Sequence, residues 1–411
     1  MPTKSLWTNH IFIRLFAITA IGTFGSWLDI FAFQVILVHQ WHASALMLSL
    51  LDVCYILPKT ILSPFAGVVA DRINRKYLLL SSYGLMAMIN LFLFTNAGVV
   101  LTLLLIFVRT AVKSVNVPSE DGCLKSNVAQ RHLLTASSYF MAMASLNKIM
   151  GPLLGAGLLL VASPWDCVLI NAISLIIATL IIATLPASRT QPSADTQQTP
   201  DSSDSWLTSF KNGVQLLTQN RFLSVTILLL AMFILVMAGM NAQIAYYLGY
   251  ALPDTTNALG FFLSISGTGM LLGLSITKRY YNKLATHYFA FIGFTLLAAT
   301  VGILASLPPH SPQTWVYIPA FTFGLSEGIL GILLSYIIIH HTPQAYMGRI
   351  SGIQQFAASS AALTGVLAAG IIATGLGITV LYFMSAGALF AVGVISLFVL
   401  NIPQTADNES H

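Results

Sequence analysis

The chain has 411 residues, 56% of them hydrophobic and only 8% charged, with a mean hydropathy of +0.81; soluble domains carry roughly 25% charged residues. A water-soluble globule needs a charged exterior and a surface facing lipid tails does not, so the composition excludes an ordinary soluble protein, together with disorder and nucleic-acid binding. The formal charge of +5 must then be read by the position of its basic residues.

About 20 apolar residues cross a bilayer as a helix. Twelve such windows lie between polar breaks, at 11–38, 43–70, 77–95, 98–121, 136–162, 166–186, 222–246, 258–277, 287–306, 315–340, 350–373 and 378–401. The first follows Lys4 and contains Arg14; it is too long for a signal peptide and lacks a small-residue cleavage site, so it reads as the first helix. With a cytoplasmic N-terminus and alternating sides, fourteen of the 18 basic residues fall on the inner side and none in an outer loop. The other four, Lys59, Arg109, Lys113 and Lys148, lie inside spans. This asymmetry orients the chain with both termini cytoplasmic.

The polar stretch 187–221, rich in Pro, Ser, Thr, Gln and Asp, cannot bury a core and reads as a cytoplasmic linker. It separates a six-helix bundle at 1–186 from a second at 222–411. The expected fold class is an all-α membrane protein of twelve transmembrane helices in two pseudo-symmetric six-helix bundles, the pattern of a secondary transporter.

Ionisable groups inside spans are costly and are functional candidates by default. The set comprises Asp29 in the first span, Asp52 and Lys59 in the second, Arg109 and Lys113 in the fourth, Lys148 in the fifth and Glu327 in the tenth. Asp52 and Lys59 are seven apart and share a helical face, as do Arg109 and Lys113, four apart. Glu327 stands alone in an apolar half, in FGLSEGILG, where a carboxylate that binds and releases a proton is a natural coupling site. Glu120 and Asp121 close the fourth window at its inner edge, within reach of Arg72, Arg75 and Lys76, and read as latch residues. Four intramembrane cations against two mid-span acids in the first half favour a substrate bearing carboxylate or phosphate, bound by Arg109, Lys113 and Lys148 with Asp29 and Trp27 beside them.

The remaining chemistry is sparse. Cys54, Cys123 and Cys167 are isolated, forming neither a disulfide framework nor a metal cluster. His39, His42, His340 and His341 supply no ligand set, so no metal is expected. There is no GxxxxGK[ST] for ATP, no nucleophile with its base and no sign of a cofactor, which argues against an enzyme.

Between the second and third windows stands GVVADRINRK (67–76). It resembles the G-x-x-x-D-R/K-x-G-R/K-R/K signature of the major facilitator superfamily, with Asn74 where the family often has Gly. Gly67 allows close helix approach, and Asp71 can cap a helix N-terminus and accept from a guanidinium. In the fifth window MGPLLGAG (150–157) is similar to the G-P-x-x-G-G core of the superfamily's exporting branches. Gly151 and Pro152 would kink that helix, and Gly155 would flatten a packing face. Arg109 sits where many proton-coupled exporters carry an arginine, although Val112 and Lys113 depart from the usual neighbours. Segments 116–137 and 341–352 resemble macrolide-efflux and enterobactin-exporter-type members.

The resemblance implies the major facilitator fold, a bacterial inner-membrane location and a proton-coupled exporter of small organic molecules, siderophore-like or drug-like. Spans 1, 4, 7 and 10 line the cavity in this superfamily, which places Asp29, Arg109, Lys113 and Glu327 beside the path. Asp29 and Glu327 are then proton-coupling candidates, and Gly67, Asp71, Arg72, Arg75, Lys76, Glu120, Asp121, Asp52 and Lys59 are gating candidates. Expected partners are a small-molecule substrate, protons and membrane lipid, for a monomeric chain. The alternatives are an organic-anion uptake permease and a lysolipid or lipid flippase of the same fold.

Overall fold

The computed structural model describes residues 6–95, 98–128, 163–186, 221–253, 258–280, 285–342 and 347–400, with single positions between 132 and 158. The first half holds α1 (His10–Val35, continued by a π turn at Ile36–Gln40), α2 (Ala45–Arg72), α3 (Arg75–Leu93), α4 (Val99–Lys113), α5 (Asn116–Asn127) and α6 (Pro164–Ala183). The second holds α7 (Arg221–Ala251), α8 (Ala258–Tyr280), α9 (Thr286–Ala305), α10 (Thr314–His341), α11 (Met347–Gly375) and α12 (Ile378–Val399). Among the described residues eleven helices are long and apolar enough to cross a membrane, with α4 and α5 counted as one span, Val99–Asn127. They answer to eleven of the twelve windows; the twelfth, 136–162, lies almost wholly outside the described residues.

Local sequence explains where the helices begin. Asn9 caps α1 by accepting from the amides of Ile11 and Phe12, Ser44 caps α2 through Met47, and Asn74 caps α3 through Lys76. The cap of α3 is therefore Asn74, not Asp71, because α2 runs on through Asp71 to Arg72. At α6, Pro164 takes the first helical position and Asp166 reaches back to the amide of Ser163 at 2.6 Å.

The window 98–121 is both longer and less regular than expected. Pro118 has no N–H for the carbonyl of Ser114 four residues earlier. The ladder breaks there, Ser114 turns its amide to Ala111 instead, and α5 restarts at Asn116 and runs to Asn127.

The chain divides into two compact units, Met1–Pro200 with Leu259–Ser264, and Asp201–Ala258 with Ile265–His411. In the first, α1 and α3 both pack along α6, and α2 packs on α4. Their shared core contains Ile11, Leu15, Ile18, Leu79, Met86 and Leu175. In the second, α7 packs on α11, and α9 on both α10 and α12. Large apolar side chains point outward, with Ile318 76% and Phe398 78% exposed, which suits lipid as the solvent.

Helices α8 and α10 approach through a reciprocal small-residue contact. A Cβ on Gly324 would lie 1.8 Å from the carbonyl oxygen of Ser266, and one on Gly269 2.1 Å from that of Phe321. Without lipid-facing hydrophobic drive between helices, such backbone approach supplies the packing. Gly324→Ala should therefore lower stability by about 1–3 kcal/mol, read as a drop in thermal midpoint of the purified protein. Gly331→Ala, where a Cβ meets nothing within 4 Å, should leave it unchanged.

Candidate functional site

Two polar faces run along the first unit. On α1 they are Thr19, Thr23, Ser26 and Asp29, and on α4 and α5 Arg109, Lys113, Asn116 and Glu120. Spacings of three and four residues place each set on one side of its helix.

The buried end of this track is an ion pair. Asp29 is 0% exposed and Arg109 5%, and Arg109 Nη2 donates to Asp29 Oδ2 at 2.5 Å. Arg109 Nη1 donates to Asn90 Oδ1 on α3. Tyr55 on α2 accepts from Arg109 at 3.3 Å, donates to Asp29 Oδ2 at 3.2 Å, and places its ring 5.8 Å from the guanidinium carbon. Four helices thus converge on one charge-neutral cluster. Among the described residues the donors fall on Oδ2, and Asp29 Oδ1 is buried with no hydrogen-bond partner among them. A charge left alone at such depth costs several kcal/mol, so each partner depends on the other.

One turn further along α4, Lys113 Nζ donates to Ser26 Oγ at 2.9 Å. Lys113 also lines a cavity of about 80 Å³ with Thr19, Thr23, Tyr83, Asn116 and Glu120. Glu120 accepts from Tyr83 at 2.8 Å on Oε1 and bonds Thr19 at 2.8 Å through Oε2. Asn116 is fixed by Ser82 at 2.6 Å and by Met86 Sδ at 3.6 Å.

The expected latch is arranged differently. Glu120 faces the cavity hydroxyls, not Arg72, Arg75 or Lys76, because α5 continues two turns beyond it and holds it inside the bundle. Arg75, 6% exposed, donates through Nη1 to Gly122 O at 3.0 Å and Ser126 Oγ at 2.9 Å. A Cβ on Gly122 would come within 2.4 Å of Arg75 Nε, so a larger residue there would make the guanidinium shift. Lys76 and Arg14 donate to the carbonyls of Ala183 and Thr184 at the end of α6, each at 2.8 Å. Arg72 and Asp121 are exposed.

The other candidates are dispersed. Asp52 is half-buried, Lys59 exposed, and no ion pair joins them. Trp27 is half-buried on α1, and Glu327 is half-buried on α10 in the second unit. Lys148, Gly151, Pro152 and Gly155 lie outside the described residues, as do the surroundings of Gly67 and of the Asp71 side chain. No group of metal-ligating side chains occurs among the described residues. The sequence reading missed Tyr55, Asn90, Ser26, Thr19 and Tyr83. The available signal was an asparagine inside an apolar run and hydroxyls at three- and four-residue steps facing the charged set.

Asp29→Ala should destabilise the fold by about 3–5 kcal/mol by stranding Arg109. The double variant Asp29→Ala, Arg109→Met should lose less than the sum of the single losses, as a double-mutant cycle on chemical unfolding would record.

Residues 15–366 match the family model described as Major Facilitator Superfamily. An uncharacterised transporter of the same type from Bacillus subtilis, YfiS, is 27% identical over 96% of this chain and 94% of its own. Macrolide efflux protein A of Streptococcus pyogenes is 20% identical over 86% of this chain and 87% of its own. Among solved structures, the nucleoside transporter NupG superposes with a TM-score of 0.73 at 12% identity, covering 96% of this chain and all of that one. A bacterial homologue of the iron transporter ferroportin, in an inward-facing state, gives 0.72 at 14% identity, covering 97% and 100%. With its family model spanning most of the length and its helices in the matching fold, the chain belongs to the major facilitator superfamily and is a multi-pass membrane transporter, not an enzyme.

Proposed function

We propose that the chain is a proton-coupled exporter of small organic molecules, working by alternating access in a bacterial cytoplasmic membrane with both termini inside. Export is supported by the similarity to a macrolide efflux protein, and orientation by the inward bias of Lys and Arg. The observation that carries proton coupling is the buried Asp29–Arg109 pair. A proton arriving at Asp29 Oδ1, the oxygen with no partner among the described residues, neutralises the carboxylate and leaves Arg109 uncompensated. That cost falls only if the helices around it rearrange, so proton binding favours one conformation over another. Glu327, on α10 of the second unit, is the second coupling carboxylate in this reading.

The substrate reading shifts with the geometry. Arg109 is matched by Asp29, and Lys113 shares its cavity with Glu120, so the described residues hold no excess of cationic charge at the site to select an anion. An amphipathic, drug-like molecule fits better, and a macrolide is the first compound to test.

In energised everted vesicles, a macrolide should collapse the pH gradient in the direction of export, monitored by an acridine dye. Asp29→Asn should abolish that response, and Glu327→Gln should abolish it while sparing macrolide binding. A gradient collapse undiminished in Asp29→Asn, or macrolide flux in the opposite direction, would contradict the reading.

A further inference from the structure

We infer that Glu120 is a proton-binding site opening onto the cavity of the first unit, a station serving the coupling proposed above and resting on that reading. The geometry begins with a carboxylate inside a spanning segment whose two oxygens, among the described residues, bond hydroxyls and no cation: Tyr83 on Oε1 and Thr19 on Oε2, both at 2.8 Å. Thr19 Oγ1 also lies 3.0 Å from the carbonyl oxygen of Leu15, yet a threonine has a single hydroxyl hydrogen.

Those two distances define two complete hydrogen-bond sets. With Glu120 ionised, the Thr19 hydrogen points to Oε2. With Glu120 protonated on Oε2, the new O–H donates to Thr19 Oγ1 and the Thr19 hydrogen turns to Leu15 O. Tyr83 donates to Oε1 in both. Neither state leaves a polar atom of this set newly unsatisfied or needs a heavy atom to move, so neither carries the cost of an unmade hydrogen bond.

The cavity supplies the route. A water needs about 10–15 Å³ and polar partners, and the space of about 80 Å³ offers Thr23, Asn116 and Lys113 as well as Glu120. The step is a transfer from a hydronium in the cavity to Oε2, giving a carboxylic acid and a water. The charged and titratable groups around it are Tyr83 from α3, Lys113 from α4, Asp121 and Cys123 on α5, and Lys59 of α2 acting through Lys113. Among the described residues, the cavity faces of α1 and α6 contribute Thr19, Gly22, Thr23 and Leu175, none of them charged. Protonation therefore changes the field at Lys113 and, four residues along the same face, at the Asp29–Arg109 pair.

The test is an infrared pH titration of the full-length protein in lipid, without substrate. A carboxylic C=O band should appear on acidification and be missing in Glu120→Gln. Tyr83→Phe keeps the carboxyl but removes a donor to its ionised form, so the titration midpoint should move to higher pH; this variant also decides the matter if Glu120→Gln does not fold. Retention of every wild-type titrating band in Glu120→Gln, or an unmoved midpoint in Tyr83→Phe, would overturn the inference. The two readings fail separately. Loss of macrolide response leaves the infrared result standing, and gradient-driven transport that persists in Glu120→Gln removes this station without touching proton coupling itself.

Discussion

A guanidinium and a carboxylate buried in the middle of a membrane bundle constrain everything near them. Arg109 has five donors and no alternative charge state, so its helix can rest only where acceptors converge. Asp29, Asn90 and Tyr55 supply them from α1, α3 and α2. One turn before Asp29, Gly25 lets α1 come close to α6, lying against Asn171 and Ser174. The polar register of α1 against α4 and α5 follows from the pair: once Asp29 meets Arg109, Ser26 falls beside Lys113 and Thr19 beside Glu120. The ladder is a consequence of helical periodicity anchored at one rung.

The basic residues near the helix ends do a second job. Besides their expected part in orientation, Lys76 and Arg14 donate to carbonyls at the end of α6, and Arg75 adds a donor to the carbonyl of Gly122, which also accepts from Ser126 Oγ within α5. These contacts fasten helix ends with groups that the orientation rule alone would treat as interchangeable. Arg75 and Lys76 of the 67–76 signature thus have different structural work, with Arg75 lying close against Gly122.

Much of this architecture was legible because hydropathy over some 20 residues is a strong signal and lipid permits few other solutions. The details that escaped are instructive. The window method ended the fourth span at 121 because charge and polarity begin there, whereas the helix continues to Asn127 and carries Glu120 inward with it. Pro118 was the warning that this span would be two helices. Asn90 and Tyr55 escaped because one neutral polar residue in an apolar run costs little and looks incidental; only tertiary packing shows what it faces. Asp29 and Arg109 were visible as charges but not as partners, being 80 residues apart, so the count of cations behind the anion-binding expectation could not allow for their pairing.

The central claim is that the Asp29–Arg109 pair is a proton-sensitive tie between α1 and α4. The direct measurement is an experimental structure of the protein in lipid nanodiscs at neutral and at acidic pH. A closed pair is expected at neutral pH and, on acidification, a separated pair with α1 shifted against α4. An intact pair and unmoved helices at both values would contradict it.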